Sequence, residues 1–304
     1  MRQVFVRQLL EAAKKDSNII LITGDLGYGV LDEFAKTLPL QFINAGVAEQ
    51  TMASLAGGLA SLKKKVFIYS IGNFSTLRCL EQIRNDICSM NHSVTVVSVG
   101  AGFSYGPQGY THYAIEDISV MRSISKMNVY CPSDSNEVSV VLTKILNEEK
   151  PSYLRLGKGG EPLLHQSNLS SDFENGITLR SGPDATMIFT GAIGSQVLQA
   201  ADILSSTGIK AEVISFPQIS PISVRKIQHS TSVLFTIEEH VTRGGFGSAV
   251  LEGLSEVDSA RRVKMLGVNY DGHSLGSHSY LQDISGLSAT KIADYVNSKL
   301  ASSI

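Results

Sequence analysis

Phe42-Ile43-Asn44-Ala45-Gly46-Val47-Ala48-Glu49-Gln50 lies just past a predicted strand and runs into a predicted helix. The helix continues as Thr51-Met52-Ala53-Ser54-Leu55-Ala56-Gly57-Gly58-Leu59-Ala60, small and apolar with no competing acid. A carboxylate opening such a helix is either a first-turn acid favoured by the helix dipole or a buried catalytic group. The residues on either side favour the second.

Outward from this joint, apolar β-rich runs alternate with helical patterns. Strands are predicted at Asn18–Ile22, Val66–Ile68, Val94–Val99, Val129–Cys131 and Tyr153–Leu156. Helices are predicted at Gln3–Lys15, Ala48–Leu62, Phe74–Met90, Glu116–Ile124 and Asn136–Leu146, the last capped by Ser133 or Asp134. This alternation argues for a parallel sheet covered on both faces. Periodicity fades from about Gly157, and the polar run Ser167–Glu174 reads as linker. A second series follows, with strands at Ala185–Phe189, Lys210–Ile214, Val233–Ile237 and Val263–Val268. Its helices are Gln196–Ser205, Gly247–Leu254 and Ala289–Lys299. The expected fold class is therefore α/β, with two doubly wound α/β domains and no internal repeat.

Composition excludes several classes. A net charge of -2 gives no electrostatic case for nucleic acid or a membrane surface. No apolar run approaches the roughly 18 residues that span a bilayer, and Met1–Arg7 lacks a signal-peptide core. Cys79, Cys88 and Cys131 form no paired spacing, so a disulfide framework is not expected and a cytoplasmic location fits. His92, His165, His229, His240, His273 and His278 show no metal-ligand spacing, and no metal site is assigned to this chain.

Four loops carry the chemistry. Gly24-Asp25-Leu26-Gly27-Tyr28-Gly29 follows the first strand, at the end where open α/β sheets bind ligands, and makes Asp25 a candidate cofactor contact. It is neither a Walker loop nor a dinucleotide fingerprint. Phe74, after the third strand, offers a ring face to a heterocycle, with Arg78 and Gln82 one and two turns further on. Gly100–His112, after the fourth strand, holds four glycines and a proline and ends in Thr111-His112. A long shaped loop in a compact domain is usually functional. Glycines 244, 245 and 247 read as close helix packing rather than a nucleotide turn.

The order of these motifs, closed by Cys131-Pro132-Ser133-Asp134-x-Asn136-Glu137, resembles the thiamine-diphosphate enzymes of the transketolase type. Their relatives include 1-deoxyxylulose-5-phosphate synthase and the β subunits of 2-oxoacid dehydrogenases. The resemblance spans essentially the whole chain. It implies a pyrimidine-binding domain at 1–160, a linker at 161–184 and a transketolase C-terminal-like domain at 185–304, the last including Thr236-Ile237-Glu238-Glu239-His240. In that family a separate domain with a Gly-Asp-Gly motif grips the diphosphate and its Mg²⁺. No Gly-Asp-Gly occurs here. The resemblance therefore implies the β subunit of a split transketolase, paired with an α subunit that holds Mg²⁺, as an α2β2 heterotetramer.

Site roles follow from the same resemblance. Glu49 matches the acid at the pyrimidine nitrogen N1′, which holds the tautomer whose imino group removes the C2 proton. Burial disfavours the charged form of a carboxyl group, which suits shared-proton work near neutral pH. Phe74 matches the stacking ring, and His112 a histidine beside the reacting carbonyl of a sugar or sugar-phosphate substrate. Lys158 falls where an arginine often meets the sugar phosphate; lysine keeps the charge without the fork. Gln108 replaces an acid that reads a donor hydroxyl, which points to a specialised sugar pathway. The implied reaction is two-carbon ketol transfer. The alternatives are a dehydrogenase-type β subunit, a deoxyxylulose-phosphate synthase-like enzyme, or a degenerate scaffold.

Overall fold

Ile19–Thr23 is buried at every position, as a strand covered on both faces must be. It is β1 of the computed structural model of the protein, which describes residues 1–165, 169, 172–229, 233–270, 272 and 274–301. The other strands are β2 (Phe42–Asn44), β3 (Lys65–Ile71), β4 (Val94–Val99), β5 (Asn128–Tyr130), β6 (Ser152–Leu156), β7 (Ile177–Arg180), β8 (Ala185–Thr190), β9 (Ala211–Ser215), β10 (Gln218–Ser220), β11 (Val233–Glu238) and β12 (Val263–Leu266).

The first sheet runs β10-β5-β6-β4-β3-β1-β2 and the second β12-β11-β8-β9-β7. All pairings are parallel except β10 on β5 and β7 on β9. The α/β expectation stands, with one antiparallel strand added to each sheet. Side-chain alternation splits the first sheet between two cores. Ile20, Ile22, Val66, Ile68, Val94 and Val96 meet the helix Glu49–Ser61. Leu21, Phe67, Tyr69 and Val97 meet the helices Arg2–Ala13 and Ser135–Glu148 on the other face. Asp134, of the two expected caps, opens the latter helix by accepting from the amides of Asn136 and Glu137.

The chain lays β2 on one side of β1 and then returns to lay β3 on the other. The strand order therefore reverses at β1, and the crevice at such a reversal, outside the carboxyl ends, is where open α/β sheets take ligands.

Three expectations need correction. The helix expected over Phe74–Met90 is broken into Gly72–Ser75, a 3₁₀ turn at Leu77–Cys79, Leu80–Gln82 and a π-helical stretch Ile83–Cys88. Thr76 is the breaking point: its hydroxyl donates to Gly72 O at 2.7 Å and its backbone leaves the helical region at φ -116°, ψ -81°. Within the expected linker 161–184, Ile177–Arg180 is an edge strand of the second sheet. Of the polar run Ser167–Glu174, only Leu169 and residues 172–174 are described, and His273 also lies outside the described residues. Finally, β10 belongs by sequence to the second half but hydrogen-bonds to the first sheet. Its neighbour Pro217 accepts from Cys131 N at 2.7 Å, which stitches the halves together.

A buried ion pair reinforces that seam. Arg155 Nε lies 2.7 Å from Asp117 Oδ2, with both side chains almost fully buried. Arg155 also donates to Ala114 O and, across the seam, to Glu239 O. Among the described residues, no helix is long and apolar enough to cross a membrane.

Candidate functional site

Each predicted site residue follows the carboxyl end of a first-sheet strand, because that is where every connection to the next helix begins. Asp25 follows β1, Glu49 β2, Phe74 β3, the loop Gly100–His112 β4, and Lys158 β6. The lateral strand order thus sets the order of the side chains across the crevice.

Glu49 opens the helix Glu49–Ser61 and is 3% exposed. Its Oε2 accepts from Arg78 Nη1 at 2.8 Å. The Arg78 guanidinium lies 4.4 Å over the Phe74 ring centre. Phe74 meets the His112 ring edge-on at 5.2 Å between centroids, and His112 meets Tyr105 at 6.1 Å. Lys158 Nζ stands 4.9 Å over the face of Tyr105. Four predicted residues therefore sit in one unbroken row: Glu49, Phe74, His112 and Lys158, linked by Arg78 and Tyr105.

Asp25 and Gln108 are not links in that row. Asp25, at φ +56°, accepts from Asn44 Nδ2 at 2.9 Å and from Tyr28 OH at 2.8 Å. These two bonds, Asn44 first, hold its carboxyl below the usual range. The loop reaches Glu49 instead through Gly24, where a Cβ would sit 3.4 Å from Glu49 Cγ. Gln108 is exposed on the outer turn of the glycine-rich loop.

Several residues complete the site that sequence reading left without a role. Asn73 Nδ2 donates to Thr111 O and Tyr113 O, at 3.3 and 2.7 Å, pinning the backbone on either side of His112. Thr111 Oγ1 lies 3.0 Å from His112 Nδ1. Cys79, behind Phe74, is pushed up to about 12 by burial and then by the charge of Glu49, so it stays a thiol. Arg78 had a signal in its spacing from Phe74. Tyr105 and Asn73 had none, because their contacts cross between loops after different strands.

The run Glu238-Glu239-His240 ends β11 and points three side chains at three targets. Glu238 accepts from Phe246 N and Gly247 N at 2.6 and 2.9 Å, and burial pushes its carboxyl up to about 8. Glu239 accepts from Phe103 N at 2.6 Å. His240 Nε2 accepts from Ile118 N at 3.1 Å, which requires a neutral ring, and burial holds its pKa down to about 4. The Asp117 and Glu238 carboxyl groups 3.9 and 3.6 Å away consequently form no ion pair with it.

Chemically, the row offers a buried acid beside an aromatic face at one end and a cation at the other. The guanidinium between Glu49 and Phe74 tests what that seat accepts: a flat, nitrogen-bearing group over the aromatic face and donating to the acid. An aminopyrimidine ring is likewise flat and nitrogen-bearing, and when protonated on a ring nitrogen it too can donate to the acid. Among the described residues, no group of three or more His, Cys, Asp or Glu side chains could hold a metal ion.

Residues 1–160 match the transketolase pyrimidine-binding domain, and residues 174–292 the transketolase C-terminal domain. The chain is 33% identical over 305 residues to a subunit of the apulose-4-phosphate transketolase of Phocaeicola vulgatus, covering 96% of each. It is 32% identical to the 1-deoxy-D-xylulose-5-phosphate synthase of Heliobacterium modesticaldum, covering 96% of this chain but 46% of that one. A solved structure described as a split gene transketolase, inactive beta4 tetramer, superposes with a TM-score of 0.89 at 31% identity, covering 99% of this chain and 98% of that.

Proposed function

The chain belongs to the transketolase family, and we propose that it is the β subunit of a two-chain enzyme, supplying the pyrimidine end of an active site completed by an α subunit. The reaction is two-carbon ketol transfer between sugars or sugar phosphates. Thiamine diphosphate, on which the family depends, supplies the nucleophilic carbon that breaks the ketose C2–C3 bond.

The observation that carries this reading is the buried Glu49 carboxylate bonded to a cation that stands over the Phe74 ring. Glu49 holds a proton at ring nitrogen N1′. Phe74 covers one face of the pyrimidine, and stacking of this kind adds about 0.5–1.5 kcal/mol beyond burial. Arg78 occupies the seat that the ring would take and would have to give way to it; its side chain is 47% exposed and has solvent to move into. His112, oriented by Thr111 and Asn73, hydrogen-bonds the donor beside its carbonyl. Lys158 neutralises a substrate phosphate, and Gln108 reads a donor hydroxyl. Asp25 shapes the first loop at the cofactor's edge. The diphosphate and its Mg²⁺ fall to the α subunit, a reading supported by the lack of any metal-holding His, Cys, Asp or Glu group among the described residues of this chain. The assembly is an α2β2 heterotetramer in the cytoplasm.

The Phocaeicola vulgatus relative is named for a particular sugar phosphate, apulose 4-phosphate. Gln108, where the family commonly has an acid, supports a similarly specialised donor for this chain. Similarity to deoxyxylulose-phosphate synthases gives a second reading, although the chain spans under half of such an enzyme.

Reconstitution with the α subunit decides between them. The complex is assayed for ketol transfer from a panel of ketoses, for 2-oxoacid decarboxylation, and for condensation of pyruvate with an aldose phosphate. Ketol transfer abolished by Glu49→Gln is the expected result. Decarboxylation without ketol transfer would reject the proposal.

A further inference from the structure

The loop Gly100–His112 is anchored to the first domain at its two ends: Gly100 N and Ala101 N donate to Leu156 O at 3.0 and 3.1 Å, and Asn73 holds Thr111 O and Tyr113 O. Its internal bonds are short turns: Gly106 N to Phe103 O, Gln108 N to Tyr105 O and His112 N to Gly109 O, at 2.8–2.9 Å. Between those ends, contacts from the second domain shape it. Phe103 N donates to Glu239 Oε1 at 2.6 Å. Gly102, at φ +61°, has no room for a side chain, since a Cβ there would lie 2.2 Å from the same Glu239 oxygen. At Gly106 a Cβ would lie 2.3 Å from Gly276 O. Tyr110 stacks on Tyr270 at 5.5 Å and 17°. Two of the glycines that marked this loop in the sequence are thus explained by close approach of the C-terminal domain.

Glu239 is a fully engaged buried carboxylate. Besides Phe103 N, it accepts from His278 Nε2 at 2.8 and 3.1 Å and from Gln282 Nε2 at 2.6 Å. A buried anion with every lone pair used is rigid, because releasing any donor leaves charge uncompensated in a low-dielectric place. His278 is 40% exposed and lines a cleft of about 270 Å³ with Ser104, Lys158, Glu161 and Gln282.

We propose that Glu239, backed by His278 and Gln282, is a positioning residue for ketol transfer: it holds the loop Gly100–His112 from the C-terminal domain so that Gln108 and His112 meet the ketose donor. This rests on the reading of that loop as the donor site. The role of Glu239 is geometric, since its carboxylate bonds the loop backbone and touches neither substrate nor cofactor. The clamp is also sensitive to pH. Burial opposes the charge on His278, but Glu239 outweighs it and raises the pKa above the ordinary histidine value. Burial likewise opposes ionisation of Glu239, yet His278, Phe103 N and Gln282 hold it below the carboxylate range. The other charged groups facing His278 are Glu161 and Lys158, of opposite sign. The ion pair is present below the elevated His278 pKa and weakens as pH rises through it.

The test uses the reconstituted complex with thiamine diphosphate and Mg²⁺. Glu239→Ala is expected to raise donor KM about tenfold, since a displacement near 1 Å is costly to a reacting geometry. Glu239→Gln, which keeps an acceptor for Phe103 N, should recover most of that loss. Acceptor KM and cofactor affinity should stay within about twofold of the parent. Hydrogen exchange of residues 103–112 should quicken in Glu239→Ala. In the parent, donor KM should climb on the alkaline side, and His278→Gln should flatten that limb. Unchanged donor KM and loop exchange in Glu239→Ala, or donor and acceptor KM rising alike, would overturn the proposal. If Glu239→Ala does not fold, the alkaline limb in His278→Gln decides by itself, and a limb identical to the parent's overturns it. His112→Ala is run alongside. If it leaves donor kinetics intact, the reading of the loop as donor site fails; if it abolishes turnover while the Glu239 variants are silent, only the clamp fails.

Discussion

Arg78 Nη1 donates to Glu49 Oε2 at 2.8 Å while the centre of its guanidinium stands 4.4 Å over the Phe74 ring. The pair is asymmetric: the acid is buried and the cation is half in water. A half-exposed partner gives a weak ion pair, worth about 0–1 kcal/mol. An incoming ligand can therefore break it cheaply, and Arg78→Ala should remove that small cost. The thermal shift produced by thiamine diphosphate and Mg²⁺ on the reconstituted complex should be larger in Arg78→Ala than in the parent. A smaller shift would mean that Arg78 helps hold the cofactor rather than yielding to it.

Glu49→Gln keeps shape and hydrogen bonding but cannot share a proton. Ketol transfer should fall about 10²–10⁴-fold, the usual contribution of a positioned acid or base. Sedimentation of the complex should be unchanged. Near-normal turnover would remove Glu49 from the mechanism.

Lys158→Ala should raise KM for a phosphorylated ketose by about tenfold, which is roughly 1.4 kcal/mol. The unphosphorylated sugar should be affected much less. Equal effects on both substrates would assign Lys158 to support of Tyr105 rather than to phosphate.

Arg155→Met strands the buried Asp117 carboxylate and frees Ala114 O and Glu239 O. Breaking one side of a buried pair typically costs about 3–5 kcal/mol. Urea denaturation of the variant at neutral pH measures it directly, and a loss under about 1 kcal/mol would show that water replaces the guanidinium.

His240 makes the chain acid-sensitive. Its folded pKa lies near 4 against an ordinary 6.5, so the unfolded chain takes up a proton that the folded ring refuses. The resulting stability is fully present above the ordinary value and is lost as pH falls toward 4. At most it amounts to something on the order of 3 kcal/mol. His240→Gln offers an acceptor at the same reach and cannot titrate there. The parent's stability loss from pH 7 to pH 5 should therefore exceed the variant's, as measured by denaturant unfolding at both pH values.

Most of the fold was legible because its central strands are nearly continuous buried apolar runs, a pattern that depends on near neighbours. Val94–Val99 matches its predicted bounds in full, and the helix at Glu49 differs by one residue at each end. Local cues failed where a side chain competes with the helix, as the Thr76 hydroxyl does. They failed also where a strand is too short to show a period, as in Gln218–Ser220. The strand Ile177–Arg180 was missed because an edge strand with half-exposed residues looks like a polar connection.

The types of residue at the site, their order along the chain and the strand each one follows were present in the sequence, because β-α alternation obliges every such loop to emerge at one edge of the sheet. Which of them touch was decided only in three dimensions. The lateral order of the strands placed Glu49, Phe74, His112 and Lys158 in a row and left the side chains of Asp25 and Gln108 out of its chain of contacts. The docking of the second half put Glu239 against the amide of Phe103, 136 positions away. Contacts of that reach depend on how two sheets pack, and packing is a property of surfaces assembled from distant segments, which no local pattern encodes.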